Sequence, residues 1–353
     1  MSTRSSRTVG VDAIASHPDR LDVRSPSEFA DDHVPGAISC PVLDDGERAL
    51  VGTLHAEQGA FEAKKAGAAL VSRHIAAILE TVARDKPRDW APLVYCWRGG
   101  RRSGSLAHVL NEVGFPAVQL EGGYRTWRRH VVARLATLPA AFRYRVVCGV
   151  TGSGKSRLLA ALDAEGAQVL DLEGLAQHRG SLLGDVPGAP QPSQKAFETA
   201  IHETYARFEP RRVVWIESES RKIGALQVPD ALLERMRAAP CVRVELPPPS
   251  RIALLKEEYA HFLADPGALA ARLAHLKDLR GQATIARWSE LAHAGDFDAL
   301  VAELLESHYD PTYLRAMTRN YAGFDAAPRV SPAGIAMPAW RALAHELISG
   351  DDA

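Results

Sequence analysis

Apolar positions along the chain fall into two spacings. Short unbroken runs predict buried strands: "APLVYC" at 91–96, "RYRVVC" at 143–148, "AQVLDL" at 167–172, "RRVVWIES" at 211–218 and "CVRVEL" at 241–246. Between them, apolar residues recur three and four apart, which predicts helices. Residues 59–84 give the longest such stretch, with Leu70, Val71, Ile75, Ile78 and Leu79 as its apolar positions. "SGSLAHVLNEVG" at 103–114 predicts a helix ended by Gly114, because glycine accepts the left-handed conformation there. "DRLDVR" at 19–24 predicts a short strand. "SPSEFADDHVPGAISCPV" follows it, with Pro and Gly marking turns. "AVQLEGGYRTW" at 117–127 predicts a strand, a Gly-Gly turn and the start of a helix.

This alternation predicts α/β folding with largely parallel sheets. It runs to about residue 135 and starts afresh at "LPAAFRYRVVCGV". Two α/β domains are therefore expected, residues 8–135 and a second core at 140–250. The pattern from 251 to 353 is helical. A length of 353 residues agrees with two domains of about 150 residues plus extra elements. With 46% apolar and 24% charged residues, the chain can bury a full core without metal or disulfide staples. Its cysteines are Cys40, Cys96, Cys148 and Cys241, and no pair is spaced CxxC. That spacing argues against zinc-ribbon and thioredoxin chemistry, and no certain metal-ligand set emerges. A signal peptide and a membrane span are not expected, so the anticipated compartment is the cytoplasm, where thiols stay reduced.

A net charge of −1 hides an asymmetry. Residues 97–157 hold eleven Arg or Lys against two acids, Glu112 and Glu121. These are either scattered solvated arginines or one basic face suited to a polyanion.

Two loops carry the candidate chemistry. In "VYCWRGGRRSGS" at 94–105, Cys96 ends a strand and Ser103 is read as the cap of the next helix. Gly99 and Gly100 let the backbone turn tightly, and a loop closing on a helix N-terminus forms an anion nest. A thiolate there, beside Arg98, Arg101 and Arg102, is expected to have a lowered pKa. Taken alone, the same pattern also fits a buried packing cysteine. The second loop, "GVTGSGKS" at 149–156, matches G-x-x-x-x-G-K-[ST] between a strand and a helix, the context of a P-loop. Gly149, Gly152 and Gly154 let backbone N–H groups wrap phosphates. Lys155 adds a charge, and Ser156 can contact Mg²⁺. The strand "VVWIESES" ends in Glu217 and Glu219, which either hold metal through water or pair with Arg221 and Lys222. Nucleotide hydrolysis does not follow from the motif.

The first half resembles a rhodanese domain. "LDVRSPSEFADDHVPGAISCPV", "VYCWRGGRRS" and "LEGGYRTW" stand where that family has its N-terminal signature, active loop and C-terminal signature. The resemblance implies that Cys96 carries a transferable chalcogen, as a persulfide in that family. It implies a scaffold role for Asp22 and Arg24. A rhodanese domain followed by a P-loop domain resembles the bacterial tRNA 2-selenouridine synthases over nearly the full length. The insert at 44–71, "LEGLAQHRGSLLG", "QPSQKAFE", "ESESRKIG" and "HYDPTY" carry that resemblance.

The resemblance implies exchange of sulfur for selenium in a 5-substituted 2-thiouridine at the tRNA wobble position. Selenophosphate and geranyl diphosphate are the implied substrates, with an S-geranyl intermediate, no tightly bound cofactor, and Mg²⁺ left open. A selenophosphate-supplying enzyme is an implied partner. The P-loop would cradle the diphosphate, and Cys96 would handle selenium. Gly67 would line a prenyl slot, or else is a helix glycine kept for close packing at a cost of about 1 kcal/mol. Trp97 and Tyr124 would stack on an anticodon base, or Trp97 packs under its own loop, with Arg98, Arg101, Arg102, Arg125, Arg128 and Arg129 on phosphates. His178 and Arg179 either face the P-loop ligand or cap a helix. Two other readings stay open: an ATP-dependent sulfurtransferase, and a nucleotide-regulated binding protein in which Cys96 is inert.

Overall fold

The computed structural model describes residues 7–351. It divides into two compact units. The first runs to Arg134 and includes Pro192–Thr199; the second comprises Leu135–Gln191 and the chain from Ala200 onward.

The first unit is built on a five-stranded parallel sheet. Its strands are β1 (Thr8–Val9), β2 (Arg20–Asp22), β3 (Ala37–Ser39), β4 (Leu93–Tyr95) and β5 (Val118–Leu120), in the order β1-β5-β4-β2-β3. The chain leaves β2 toward β3 and leaves β4 toward β5. The C-terminal ends of these two neighbours therefore open a crevice, the usual ligand position in such sheets. Cys96 is the next residue after β4. The core sets Leu21 and Val94 against Leu106 and Leu110 of the helix Arg101–Val113 and against Ile75 and Ile78 of the helix Ala60–Thr81. Gly114 ends the first of these helices in the left-handed conformation. The segment expected to be turns holds two elements, the helix Pro26–Asp31 and β3. A capping box starts that helix: Ser25 and Glu28 satisfy each other's backbone N–H groups, with Pro26 in the first turn. The S-x-x-E spacing was the available signal.

The second unit repeats the plan. Strands β6 (Arg143–Cys148), β7 (Gln168–Leu170), β8 (Val213–Glu217), β11 (Cys241–Val244) and β12 (Arg329–Val330) pair in parallel in the order β12-β11-β6-β8-β7. The small strands β9 (Lys222–Ile223) and β10 (Leu226–Gln227) form a separate antiparallel pair. Here the chain leaves β6 toward β7 and leaves β8 toward β11, in opposite directions, which places the crevice beside the loop at 149–154 and the acids after β8.

The helical region expected at 251–353 does not stand apart, and its last two residues lie outside the described ones. Its strand β12 completes the sheet, and the helix Met337–Asp351 packs on the helix Lys155–Ala164, with Trp340 in their shared core. The helices between Pro248 and Leu304 enclose a small core of their own around Phe262, Leu269, Trp288, Leu300 and Leu304. Among the described residues, no helix is long and apolar enough to cross a membrane.

Candidate functional site

Cys96 is 3% exposed and sits at the base of a closed loop. Its Sγ accepts from the Gly100 N–H at 3.3 Å and lies 3.1 Å from Ser103 Oγ. The helix cap is Gly100 rather than Ser103, which lies inside the first turn and turns its hydroxyl onto the sulfur. Gln119, unread in the sequence, fixes this hydroxyl from β5. Its Nε2 donates to Ser103 Oγ at 2.7 Å and to the Gly99 carbonyl at 2.7 Å.

The two glycine turns interlock. Gly99 has φ +63°, and a Cβ there would come within 2.6 Å of the Leu120 carbonyl oxygen. A Cβ on Gly123 would come within 2.2 Å of the Cys96 carbonyl oxygen, so neither position accepts a side chain. The Tyr124 N–H donates to the Cys96 carbonyl at 2.9 Å and the Arg125 N–H to that of Trp97 at 3.1 Å. The other cysteines are also free and buried, and the hydrogen bond with Cys148 lowers the Cys241 thiol. Burial, with Asp22 nearby, pushes the Cys40 thiol up to about 12. A hydrogen bond with Cys241 and burial raise that of Cys148.

The loop arginines separate into two groups. Arg98 and Arg101 are exposed. Arg102 pairs with Glu28 at 2.8 Å. Burial pushes the Glu28 carboxyl up, but the Arg102 hydrogen bond and charge outweigh it and hold it below the usual range. Arg125 and Arg129 are exposed, while Arg128 is half-buried and ion-paired with Glu198 in the segment that joins this unit. Arg128 is thus not offered to a polyanion.

Tyr124 needs a like correction. It is 1% exposed, its ring covers the Arg24 guanidinium at 3.9 Å, and its hydroxyl donates to Asp32 at 2.7 Å. It has no face for a base. Trp97 stacks against it at 5.4 Å and remains partly exposed. Asp22 and Arg24 form a fully buried pair, a scaffold arrangement. Gly67 lines a cavity of about 800 Å³ with Val51, Val71, Ile75, Val109 and the loop residues Arg101 and Arg102. A Cβ at Gly67 would meet only Val51, at 3.5 Å, so the helix does not need glycine for close packing there.

In the second unit, the P-loop is held from behind by residues distant in sequence. Gly154 has φ +87°, and a Cβ would fall 2.2 Å from the Trp340 ring. Arg251, 7% exposed, donates to the Thr151 carbonyl at 2.7 and 3.0 Å and is braced by Asp310 at 2.6 Å. The Gly149 N–H donates to the Tyr313 hydroxyl at 2.8 Å. Asp310 and Tyr313 belong to "HYDPTY", which carried the resemblance without a role. Lys155 Nζ donates to the Gly149 carbonyl at 2.9 Å, across the mouth of its own loop.

A cavity of about 440 Å³ opens here, lined by Gly152, Gly154, Lys155, Ser156, Glu173 and Arg179 among others. Arg179 lies over the Tyr259 ring at 4.9 Å and keeps a buried Nη1 with no partner, a donor suited to an oxyanion. His178 is buried. Its backbone N–H satisfies the Glu173 carbonyl past the end of the helix Leu172–Ala176, and its ring accepts from the Gly180 N–H. It therefore caps the helix and lines the cavity at once.

Acids crowd the opposite wall. Ser156 Oγ donates to Glu173 at 3.1 Å, and the Glu173 N–H donates to Glu217 at 2.8 Å. Of the two alternative partners, Arg221 and Lys222, Arg221 pairs with Asp230 instead of either acid. Burial and the charges of Asp171, Glu173 and Glu219 push the Glu217 carboxyl well up. Burial and Glu173 push Glu219 up to about 8. Among the described residues, no group of three His, Cys, Asp or Glu is placed to hold a metal by itself. The arrangement of Ser156, Glu173 and the unpartnered Glu217 Oε2 does fit Mg²⁺, which takes few protein ligands beside phosphate oxygens.

A buried cysteine on a loop that closes at a helix N-terminus, followed by a braced P-loop, defines a two-module enzyme. Residues 12–130 match the rhodanese-like domain, and residues 142–272 match the family described as the tRNA 2-selenouridine synthase AAA domain. The tRNA 2-selenouridine synthase of Aeromonas salmonicida is 33% identical, over 83% of this chain and 86% of that protein. That of Nitrosomonas europaea is also 33% identical, over 72% of this chain and 66% of its own length. A rhodanese-related protein from Thermoplasma volcanium overlays 35% of this chain and 92% of its own, at 20% identity and TM-score 0.23. The chain belongs to the tRNA 2-selenouridine synthase family, a family of transferases.

Proposed function

We propose that the protein converts a 5-substituted 2-thiouridine at the tRNA wobble position to 2-selenouridine through an S-geranyl intermediate. In the first step, the thiouridine sulfur attacks C1 of geranyl diphosphate, the C1–O bond breaks and diphosphate leaves. Lys155, Arg179 and the N–H groups of the P-loop stabilise the charge that develops on it. Ser156 and Glu173 would hold Mg²⁺, which when bound neutralises phosphate charge. In the second step, selenium from selenophosphate bonds to C2 while the C2–S bond breaks. Geranyl thiol leaves, and phosphate is lost to water. Alkylation makes the sulfur a better leaving group, which is why the first step precedes the second. The Cys96 loop handles the selenium anion, and the cavity at Gly67 takes the S-geranyl group.

The observation that carries this reading is the closure of the Gly100 N–H and the Ser103 hydroxyl on Cys96 Sγ. Exposed Arg98, Arg101, Arg125 and Arg129 supply phosphate contacts, and Trp97 the stacking face. A reaction on tRNA places the protein in the cytoplasm, downstream of an enzyme that supplies selenophosphate. Nucleoside mass spectrometry on 2-thiouridine tRNA, incubated with protein, geranyl diphosphate and selenophosphate, tests it. Sulfur-to-selenium exchange without ATP is expected. Exchange that requires ATP hydrolysis would instead support an ATP-dependent sulfurtransferase-like route.

A further inference from the structure

Behind the P-loop, the helices after β11 enclose a second, apolar cavity of about 60 Å³. Its walls include Leu255, Phe262, Leu263, Val301, Leu304 and Leu305. Thr151, Ser181, Leu255 and Tyr259 line both this cavity and the phosphate-loop cavity, so the two adjoin. Contact at the boundary is close: a Cβ on Gly152 would lie 2.8 Å from Leu255 Cδ1. At the boundary, Ser181 hydrogen-bonds both Tyr259 and Tyr309. One wall is a π-helical turn, Leu305–Tyr309, a distortion common at functional sites.

A nucleoside leaving the phosphate cradle in this direction would bury its ribose and base against walls that are mostly hydrocarbon, which is unfavourable. A branched hydrocarbon chain would bury its surface there instead. At about 10–15 Å³ per water-sized group, the cavity takes roughly four to six such groups. That matches one five-carbon isoprene unit, the far end of a two-unit chain whose first unit crosses the larger cavity.

We infer that this cavity is the chain-length-measuring pocket for the hydrocarbon tail of a prenyl diphosphate whose diphosphate occupies the P-loop. The inference rests on the P-loop reading given above, and the test separates the two. Binding of inorganic pyrophosphate, dimethylallyl, geranyl and farnesyl diphosphates is measured by calorimetry on the full chain, for wild type, Lys155→Ala, Val301→Phe and Leu263→Ala. Both cavity residues are only partly buried, and unfolding curves identify any variant that fails to fold.

Val301→Phe fills space equal to about two methylene groups or more. It should weaken geranyl diphosphate about tenfold, leave pyrophosphate unchanged and shift preference to the five-carbon compound. Leu263→Ala should shift preference the other way, toward farnesyl diphosphate, and carries the test if the Phe variant does not fold. If pyrophosphate binds through Lys155 but neither variant changes the order of chain lengths, the tail pocket is refuted while the cradle stands. If pyrophosphate does not bind, or Lys155→Ala leaves its affinity unchanged, the P-loop reading fails and the pocket with it.

Discussion

The two units solve one local problem twice and use it differently. Each places a glycine-bearing loop between the C-terminal end of a parallel strand and the N-terminus of a helix. In the first unit the helix end serves the protein's own sulfur. Gly100 and Ser103 close on Cys96, Arg98 and Arg101 of the same loop are exposed, and Arg102 pairs with Glu28. In the second unit the loop is open, and Lys155 rests on its own Gly149 carbonyl. Acids form one wall, and hydrocarbon lies behind. Backbone N–H groups attract anions in both, so the loops alone do not choose the ligand. What surrounds them differs, and under the proposed function that difference assigns the selenium anion to the first loop and the diphosphate with its tail to the second.

Breaking one loop at a time should separate the steps. The largest effect is expected from Lys155→Ala. Removing its charge should slow formation of S-geranyl nucleoside about 100- to 1,000-fold, while exchange on tRNA already carrying the S-geranyl group continues. Timed nucleoside mass spectrometry with each starting tRNA checks both halves. Arg251→Met leaves Asp310 unpaired and frees the Thr151 carbonyl. It should lower unfolding free energy by about 2 kcal/mol in denaturant titration and weaken geranyl diphosphate binding, with the exchange step unaffected. Ser103→Ala removes one hydrogen bond to the sulfur. It should slow exchange about fivefold and leave geranylation unchanged, seen in the same two assays.

A further prediction concerns pH. Glu219 titrates near 8 when folded, above its unfolded value. Between those values the unfolded chain has lost a proton that the folded chain keeps. The resulting penalty is absent at pH values below the unfolded pKa, grows as pH rises through the window, and is complete above about 8. Melting temperatures of the ligand-free protein should therefore fall with rising pH, and Glu219→Gln should flatten that fall. An unchanged slope in the variant would contradict the assignment.

The sequence made the loops legible because their signals are local. Strand, glycines, cysteine or lysine, and helix follow one another within a dozen residues, and Gly114 marks its helix end in the same way. Partners across the fold carry no such mark. Gln119 reaches Ser103 only because β5 lies beside β4, and Tyr313 reaches Gly149 across 164 residues of chain. The assignment of Pro192–Thr199 to the first unit was equally hidden, since Lys195 finds Asp31 at 2.6 Å only once folded. Tyr124 and Arg128 show the converse limit. Their residue types suit RNA, but the fold gives one to Arg24 and Asp32 and the other to Glu198.

The measurement that bears most directly on the division of labour is geranylation by a folded Cys96→Ser protein. With 2-thiouridine tRNA, geranyl diphosphate and selenophosphate, it should accumulate the S-geranyl nucleoside at the wild-type initial rate and form no 2-selenouridine. Loss of both steps, with the unfolding curve unchanged, would contradict the account and place Cys96 in the alkylation chemistry as well.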